Sequence, residues 1–346
     1  MTKKYIYLIL TYIKSLILVL FNIIFNHKYI VCYYNLNQNP LSFNFFEYLN
    51  YIIIESNNKN KKIKLIIISN LNSKSASTES LSQLTRYNYF ILQPLSLFQD
   101  IEFVKIINST IKSVPLFSFK NTYIYDENYH KKILEHLKFN KSLLKFENKN
   151  FRQVTDWLKS KDISDKEIIT ITIRTKEDGS SRNSNIEDWK KFYEHLKSKN
   201  YNPIFIPDIE GPIKFFELNE YNFCLPASYN FIFRLYLMKL SKLNLFVNSG
   251  PACAALLFEN NYVFYKPVSK NNNHTDDWVS VEQLEKQGIN IDSDIEYFDK
   301  SYFRKTNWEE DNLENLIKTF SEFEKYNLNY FFYNFINFNC SIFSCV

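Results

Sequence analysis

The chain has 346 residues, 45% of them hydrophobic and 23% charged, with a formal net charge of +5. That balance excludes a disordered or collagen-like protein, and the length suits two domains of about 150 residues each. The five cysteines are scattered, without C-x-x-C or zinc spacing, which argues against a disulfide framework and points to a reducing compartment, the cytoplasm.

Lys, Asn, Ile, Phe and Tyr are abundant, whereas Gly (4) and Pro (9) are scarce, as are Ala and Arg. An aromatic content of 18% reads as compositional drift rather than as a stacking surface. Clusters of the scarce residues therefore carry the information. Lys is spread along the chain and no basic face is concentrated, so nucleic acid is not an expected partner. The densest run, Lys59, Lys61, Lys62 and Lys64, reads as a solvated loop.

Residues 5–25 form an apolar run interrupted by Thr11, Lys14, Ser15 and Asn22. At about 1.5 Å per residue such a helix would just cross a hydrocarbon core of about 30 Å. Three readings stay open: a membrane anchor, a helix lying on a membrane or on the protein, and a cleaved signal peptide. Residues 1–27 are set apart as this apolar helix, which makes a membrane surface a candidate partner.

A first domain over 28–155 opens with a strand at 29–35, followed by a helix at 41–56 and a strand at 64–69. Ser77 or Thr78 would cap a helix near Glu79. The stretch 127–160 reads as a mostly helical, charged connection. A second domain over 156–300 opens with EIITITIRT at 167–175, a β-branched run typical of a strand buried on both faces. Helix 186–199, capped by Asn185 or Ser184, leads to strands at 202–207 and, more weakly, 222–226. Helix 228–242 and strand 243–247 follow, then a helix opening at Gly250 and a strand at 262–266. Residues 301–346 are expected to be a C-terminal helix and tail, with the helix over 302–326. The alternation predicts an α/β fold of two Rossmann-like domains, each with a parallel sheet. The first half has no glycine, so a dinucleotide fingerprint or P-loop is excluded there, and the second half shows neither.

Two segments carry chemistry. In VNSGPACAA, residues 247–255, three of the five alanines and one of the four glycines meet where a buried strand turns into a helix. Gly250 lets the backbone approach a ligand, Pro251 suits the first turn, and Ala252 lets the helix lie close to the sheet. Asn248 and Ser249 add side-chain hydrogen bonds, and free N–H groups would face the carboxyl edge of the sheet. The competing reading is a tight turn that only packs.

In IRTKEDGSSRNSN, residues 173–185, Arg174 and Arg182 bracket one loop at the same edge. An arginine fork matches phosphate oxygens, and Asn183 and Asn185 suit hydroxyls or a nucleotide. Here the competing reading is a loop whose arginines pair with Glu177, Asp178 or Glu187. Asp208, after strand 202–207, and Asp178 are candidate bases, although Asp208 could equally cap or close a loop. Asp276 and Asp277 lack further spaced ligands, so no metal site is expected. His130, His136 and His195 read as surface residues of helices.

These segments resemble the GT-B glycosyltransferases. ITIRTKEDGSSRNSN is similar to the fucosyltransferase-like pattern of a strand ending in arginine before a polar loop. VNSGPACAA is similar to that family's helix-opening segment against the donor nucleotide. Thr175 stands where those enzymes usually have a second arginine. YNLNQNPLSFNFFEYLNYIIIE further resembles the start of a bacterial group with like R-N-S-N and N-x-G-P segments. The resemblance implies a metal-independent transferase that moves a sugar from a nucleotide-sugar donor to a hydroxyl of a glycan, lipid or protein. It implies diphosphate binding by Arg174 and no cofactor beyond the donor. The alternative is a non-catalytic nucleotide- or glycan-binding protein, tethered to a membrane or a partner.

Overall fold

The computed structural model describes residues 13, 28–36, 39, 41–69, 84–98, 101–108, 122–124, 133, 144, 146–163, 167–175, 183–207, 221–255, 257–265 and 302–343. The apolar run 5–25, except Ile13, lies outside them, as do Ser77 and Thr78. The chain divides into two compact units, Met1–His136 and Leu137–Val346.

In the first unit, β1 (Tyr29–Asn35) pairs in parallel with β2 (Lys62–Ser69) and β4 (Thr122–Ile124), and β2 pairs with β3 (Ile101–Asn108). The order is β3-β2-β1-β4. Helix α1 (Asn44–Lys59) links β1 to β2. Its Phe45 and Tyr48 rings pack on Tyr34 with centroids 4.8 and 5.6 Å apart. The helix stops at Asn60, whose left-handed φ of 49° turns the chain. Asparagine tolerates this conformation better than most residues do. A short π-helical turn, Asn88–Leu92, leads into α2 (Gln93–Ser96).

The lysine run is not a loop. Lys59 ends α1, and Lys62 and Lys64 belong to β2, with Ile63 and Leu65 buried between and beyond them. The two-residue period of a strand sends alternate side chains to opposite faces, which a count of consecutive charges does not reveal.

The second unit is built on β5 (Ile168–Ile173), β6 (Asn202–Pro207), β7 (Leu243–Val247), β8 (Tyr262–Tyr265) and β9 (Arg304–Asn307). All four pairings are parallel, in the order β6-β5-β7-β8-β9. The helices are α3 (Asn148–Ser160), α4 (Ile186–Ser198), α5 (Leu225–Tyr229), α6 (Phe231–Leu240), α7 (Gly250–Ala255) and α8 (Leu313–Phe343).

One face of this sheet presents Ile169, Ile171 and Ile173 to Trp189, Phe192 and Leu196 of α4 and to Leu316, Phe320 and Phe323 of α8. Fully burying such a side chain contributes about 1.5–3 kcal/mol. The other face is covered by α6. There Thr170 Oγ1 donates to Asn244 Oδ1 (2.5 Å), and Asn244 Nδ2 donates to the Met238 carbonyl of α6 (3.0 Å). Helix α3, expected within a connection, packs on α6 through Phe151 against Tyr236 (4.7 Å) and Trp157 against Phe233 (6.0 Å).

Two expectations are corrected. Residues 304–307 form an edge strand on β8, and the terminal helix starts only at Leu313 and runs to Phe343. The edge strand has one buried side chain, Thr306, so no apolar pattern marks it. Residues 222–226 make a single parallel bridge, Phe223 with Phe205, before α5 begins at Leu225. Pro226 in the first turn favours helix over strand. Among the described residues, no helix is long and apolar enough to cross a membrane.

Candidate functional site

The strand order of the second unit places a switch point between β5 and β7. The chain leaves β5 through α4 to β6 on one side, and leaves β7 through α7 to β8 on the other. Helix α4 lies on one face and α7 packs beside α6 on the opposite face. In open α/β sheets, ligands bind at the carboxyl ends of the strands where the connections diverge in this way. Thr172 pairs with Phe246, so continuing that register brings Arg174 level with Asn248 and Thr175 level with Ser249. The two segments singled out in the sequence therefore meet at one edge.

Arg174 follows the last residue of β5 and is 5% exposed. Its backbone N–H donates to Ser184 Oγ (3.0 Å) and its carbonyl accepts from Ser184 N–H (2.9 Å). This reciprocal pair closes the neck of the loop between residues 174 and 184. Asn183 is half-buried, while Asn185 is exposed and precedes α4. Asn185 Nδ2 donates to Asp188 Oδ2 (2.8 Å), and its N–H to Asp311 Oδ2 (2.9 Å). Arg182, Asp178 and Asp208 lie outside the described residues.

On the β7 side, Ser249 is buried, Asn248 and Gly250 are half-buried, and Pro251 and Ala252 are buried. The Ser249 carbonyl accepts from Ala252 N–H (3.1 Å), which forms the turn into α7. Asn260 finishes that helix, its Nδ2 donating to the carbonyls of Ala255 and Phe258 (both 2.8 Å). With six residues, α7 is too short to supply a macrodipole of consequence.

Polar groups at this edge are buried beyond what the described residues satisfy. Thr172 Oγ1, Thr175 Oγ1 and Ser249 Oγ have no hydrogen-bond partner among the described residues. A buried hydroxyl left so costs about 1–3 kcal/mol. A ligand oxygen or a water would complete them.

Two buried charged side chains near this edge carry no sequence motif. Asp311, 1% exposed, accepts from Asn185 N–H and from Trp189 Nε1 (2.7 Å), and so ties the start of α4 to the approach of α8. Arg234 of α6, also 1% exposed, donates from Nε to the Ala227 carbonyl (2.9 Å) and from Nη2 to the Pro207 carbonyl (3.4 Å). An arginine in the middle of a mostly apolar helix, in an arginine-poor chain, was the available signal for it. Burial pushes the nearby Cys224 thiol up to about 12, against smaller opposing effects of an Ala227 backbone hydrogen bond and of Arg234. His195 stacks on Phe192 (6.1 Å) and meets Phe320 edge-on (6.3 Å), so it packs against the core as well as facing outward. Among the described residues no group of three or more His, Cys, Asp or Glu side chains could hold a metal ion.

No family model matches the chain. No curated protein matches it either. Its structural neighbours include a family 9 glycosyl transferase from Veillonella parvula, with 10% identity over 70% of this chain and 81% of that one, at a TM-score of 0.47. The ADP-heptose LPS heptosyltransferase II of E. coli has 11% identity over 69% of this chain and 84% of its own, at 0.38. The UDP-GlcNAc 2-epimerase of Methanocaldococcus jannaschii has 12% identity over 85% and 92%, also at 0.38.

Proposed function

We propose that the protein is a glycosyltransferase, with its second unit binding the diphosphate of a nucleotide-sugar donor at the carboxyl ends of β5 and β7. The observation that carries this reading is the burial of the Arg174 guanidinium at the end of β5, where the strand register runs level with the segment that holds Ser249. Thr172 Oγ1, Thr175 Oγ1 and Ser249 Oγ, buried at the same edge, have no hydrogen-bond partner among the described residues. A diphosphate would supply negative charge and oxygens for the unsatisfied hydroxyls together.

Arg174 would stabilise the charge that develops on the leaving diphosphate as the glycosidic bond to the donor breaks. Arg182, Asn183, Asn185, Asn248 and the 249–252 turn would surround the nucleotide and sugar. A carboxylate, Asp208 or Asp178, would take the proton of the acceptor hydroxyl. The arginines carry the counter-charge in this scheme, so metal independence belongs to the proposal. A glycan, lipid or protein supplies the acceptor, and the donor is the only co-substrate.

One observation favours the rival reading, a nucleotide- or glycan-binding protein without turnover. The carboxylate of Asp311, near the start of α4, already accepts from two N–H donors of the fold itself.

The test is a thermal-shift panel of UDP, GDP, CMP and dTDP and their sugars with the full chain, followed by an assay for sugar transfer. A ligand at about 100 times its dissociation constant stabilises the fold by about 2.7 kcal/mol. One nucleotide is expected to raise the melting temperature, and Arg174→Ala to abolish the rise and cut transfer at least tenfold. The backbone atoms of residue 174 hold Ser184, so truncating the side chain leaves the loop neck intact. Binding without turnover would select the rival. Unchanged binding and turnover in Arg174→Ala would remove the diphosphate site from this edge.

A further inference from the structure

The buried cation on α6 has no part in the scheme above, yet the sheet brings it to the same edge. Pro207 pairs with Ile173, the residue before Arg174. Arg234 Nη2 contacts the Pro207 carbonyl at 3.4 Å. Adding one strand spacing of about 4.8 Å places that nitrogen within about 8 Å of the β5 backbone where Arg174 leaves the sheet.

The face is also shared. Ile169, Ile171 and Ile173 point toward α4 and α8. Thr170 points the other way and is linked through Asn244 to α6. Two-residue alternation then puts Thr172 and the Cβ of Arg174 on the α6 side, the side that carries Arg234. Thr172 Oγ1 is one of the hydroxyls without a partner among the described residues.

Among the described residues, Arg234 also lacks charge compensation. Its Nε and Nη2 contacts are to neutral main-chain carbonyls, and no ion pair among the described residues includes it. Two neutral acceptors do not offset a cation that is 1% exposed. A residue needed only to tie Ala227 and Pro207 would not have to be charged. Ser228 Oγ already donates to the Pro207 carbonyl at 2.6 Å.

We propose that Arg234 is a second cationic contact for the anion held at this edge, reaching it from the α6 face, so that the site selects a diphosphate over a single phosphate. This rests on the reading of the edge as an anion site, and the experiment separates the two. Inorganic pyrophosphate and inorganic phosphate are titrated calorimetrically into the full chain and into Arg234→Gln and Arg174→Ala. The wild type is expected to bind pyrophosphate at least tenfold more tightly than phosphate. Arg234→Gln, shown to be folded by its circular dichroism and melting curve, should lose most of that preference. Arg174→Ala should lose affinity for both anions.

If Arg234→Gln keeps the preference while Arg174→Ala loses binding, Arg234 is only a structural tie and the inference falls, while the anion site stands. If the wild type binds neither anion nor any nucleoside diphosphate, both fall. A spectroscopic reading on the wild type decides the matter should Arg234→Gln fail to fold. The chain has six arginines, so their Nε–H resonances are few, and Arg234→Lys identifies the one concerned. Its movement on adding pyrophosphate supports the contact. Its constancy at saturating pyrophosphate overturns it.

Discussion

Asp311 and Asn244 show how single buried polar side chains organise the second unit. Asn244, fully buried in β7, receives the Thr170 hydroxyl and donates to Met238, Asn260 and Asn261, so it joins β5, β7, α6 and the chain before β8. Asp311 performs the same service at the start of α4. Removing it leaves the Asn185 N–H and the Trp189 indole N–H without their acceptor. Asp311→Ala is expected to cost about 2–4 kcal/mol, since a stranded buried donor such as the Trp189 indole costs about 1–3 and the part-buried Asn185 N–H adds less. Urea unfolding followed by tryptophan fluorescence would show it, and a loss below 0.5 kcal/mol, on the order of an ordinary surface substitution, would contradict the assignment. At this scale the sequence was partly legible. Arg174 stood out because it ends a β-branched run in a chain with six arginines. Asp311 did not, because a partner 126 residues away leaves no local trace, and Arg234 showed only its place in a mostly apolar helix, not its contact 27 residues back.

At the scale of elements, the second sheet is held on one side by α4 and α8. Phe320 is the centre of that contact, with its ring 5.9 Å from Phe192, 5.2 Å from Tyr201 and 5.9 Å from Phe323. Truncating a buried phenylalanine costs about 3–5 kcal/mol. Phe320→Ala is therefore expected to lower the chemical-denaturation midpoint strongly and to loosen α8 from α4, seen as faster amide exchange in the first turns of α8. A midpoint close to that of the wild type would mean that α8 is not integral to this core. Strands β1, β5, β6 and β7 were legible from their apolar or β-branched runs. Strand β9 was not, because it lies at a sheet edge and buries one of its four side chains. Its place is decided by the vacant edge of β8, which no local propensity encodes.

For the whole molecule, buried thiol and phenol protons are expected to lower stability at alkaline pH. Burial holds the Cys224 thiol at about 12 against an ordinary 9.0, and holds the Cys32 thiol well above the same value. Burial, with Glu324 and Glu167, pushes the Tyr201 hydroxyl from 10.0 to about 12. These groups keep their protons in the folded chain and release them in the unfolded one. Their contribution is therefore fully present below about pH 9 and is lost as pH rises from there toward 12. Lys239, held below its ordinary 10.5 by burial, acts in the opposite sense, but it is one group against several. Denaturation midpoints should agree at pH 7 and 8 and fall by pH 10.5. A midpoint that holds or rises at pH 10.5 would refute the assignment.

The sequence by itself determined the α/β class, the parallel character of the strands, the places where β5 and β7 end, and the residues that follow them. These are local properties of periodicity, β-branching and scarce small residues, and they need no knowledge of neighbours in space. Tertiary structure alone decided the order β6-β5-β7-β8-β9. That order depends on which helix covers which face, a balance of buried area between segments far apart in the chain. It brings the ends of β5 and β7 side by side and sets Arg234 at the same edge as Arg174.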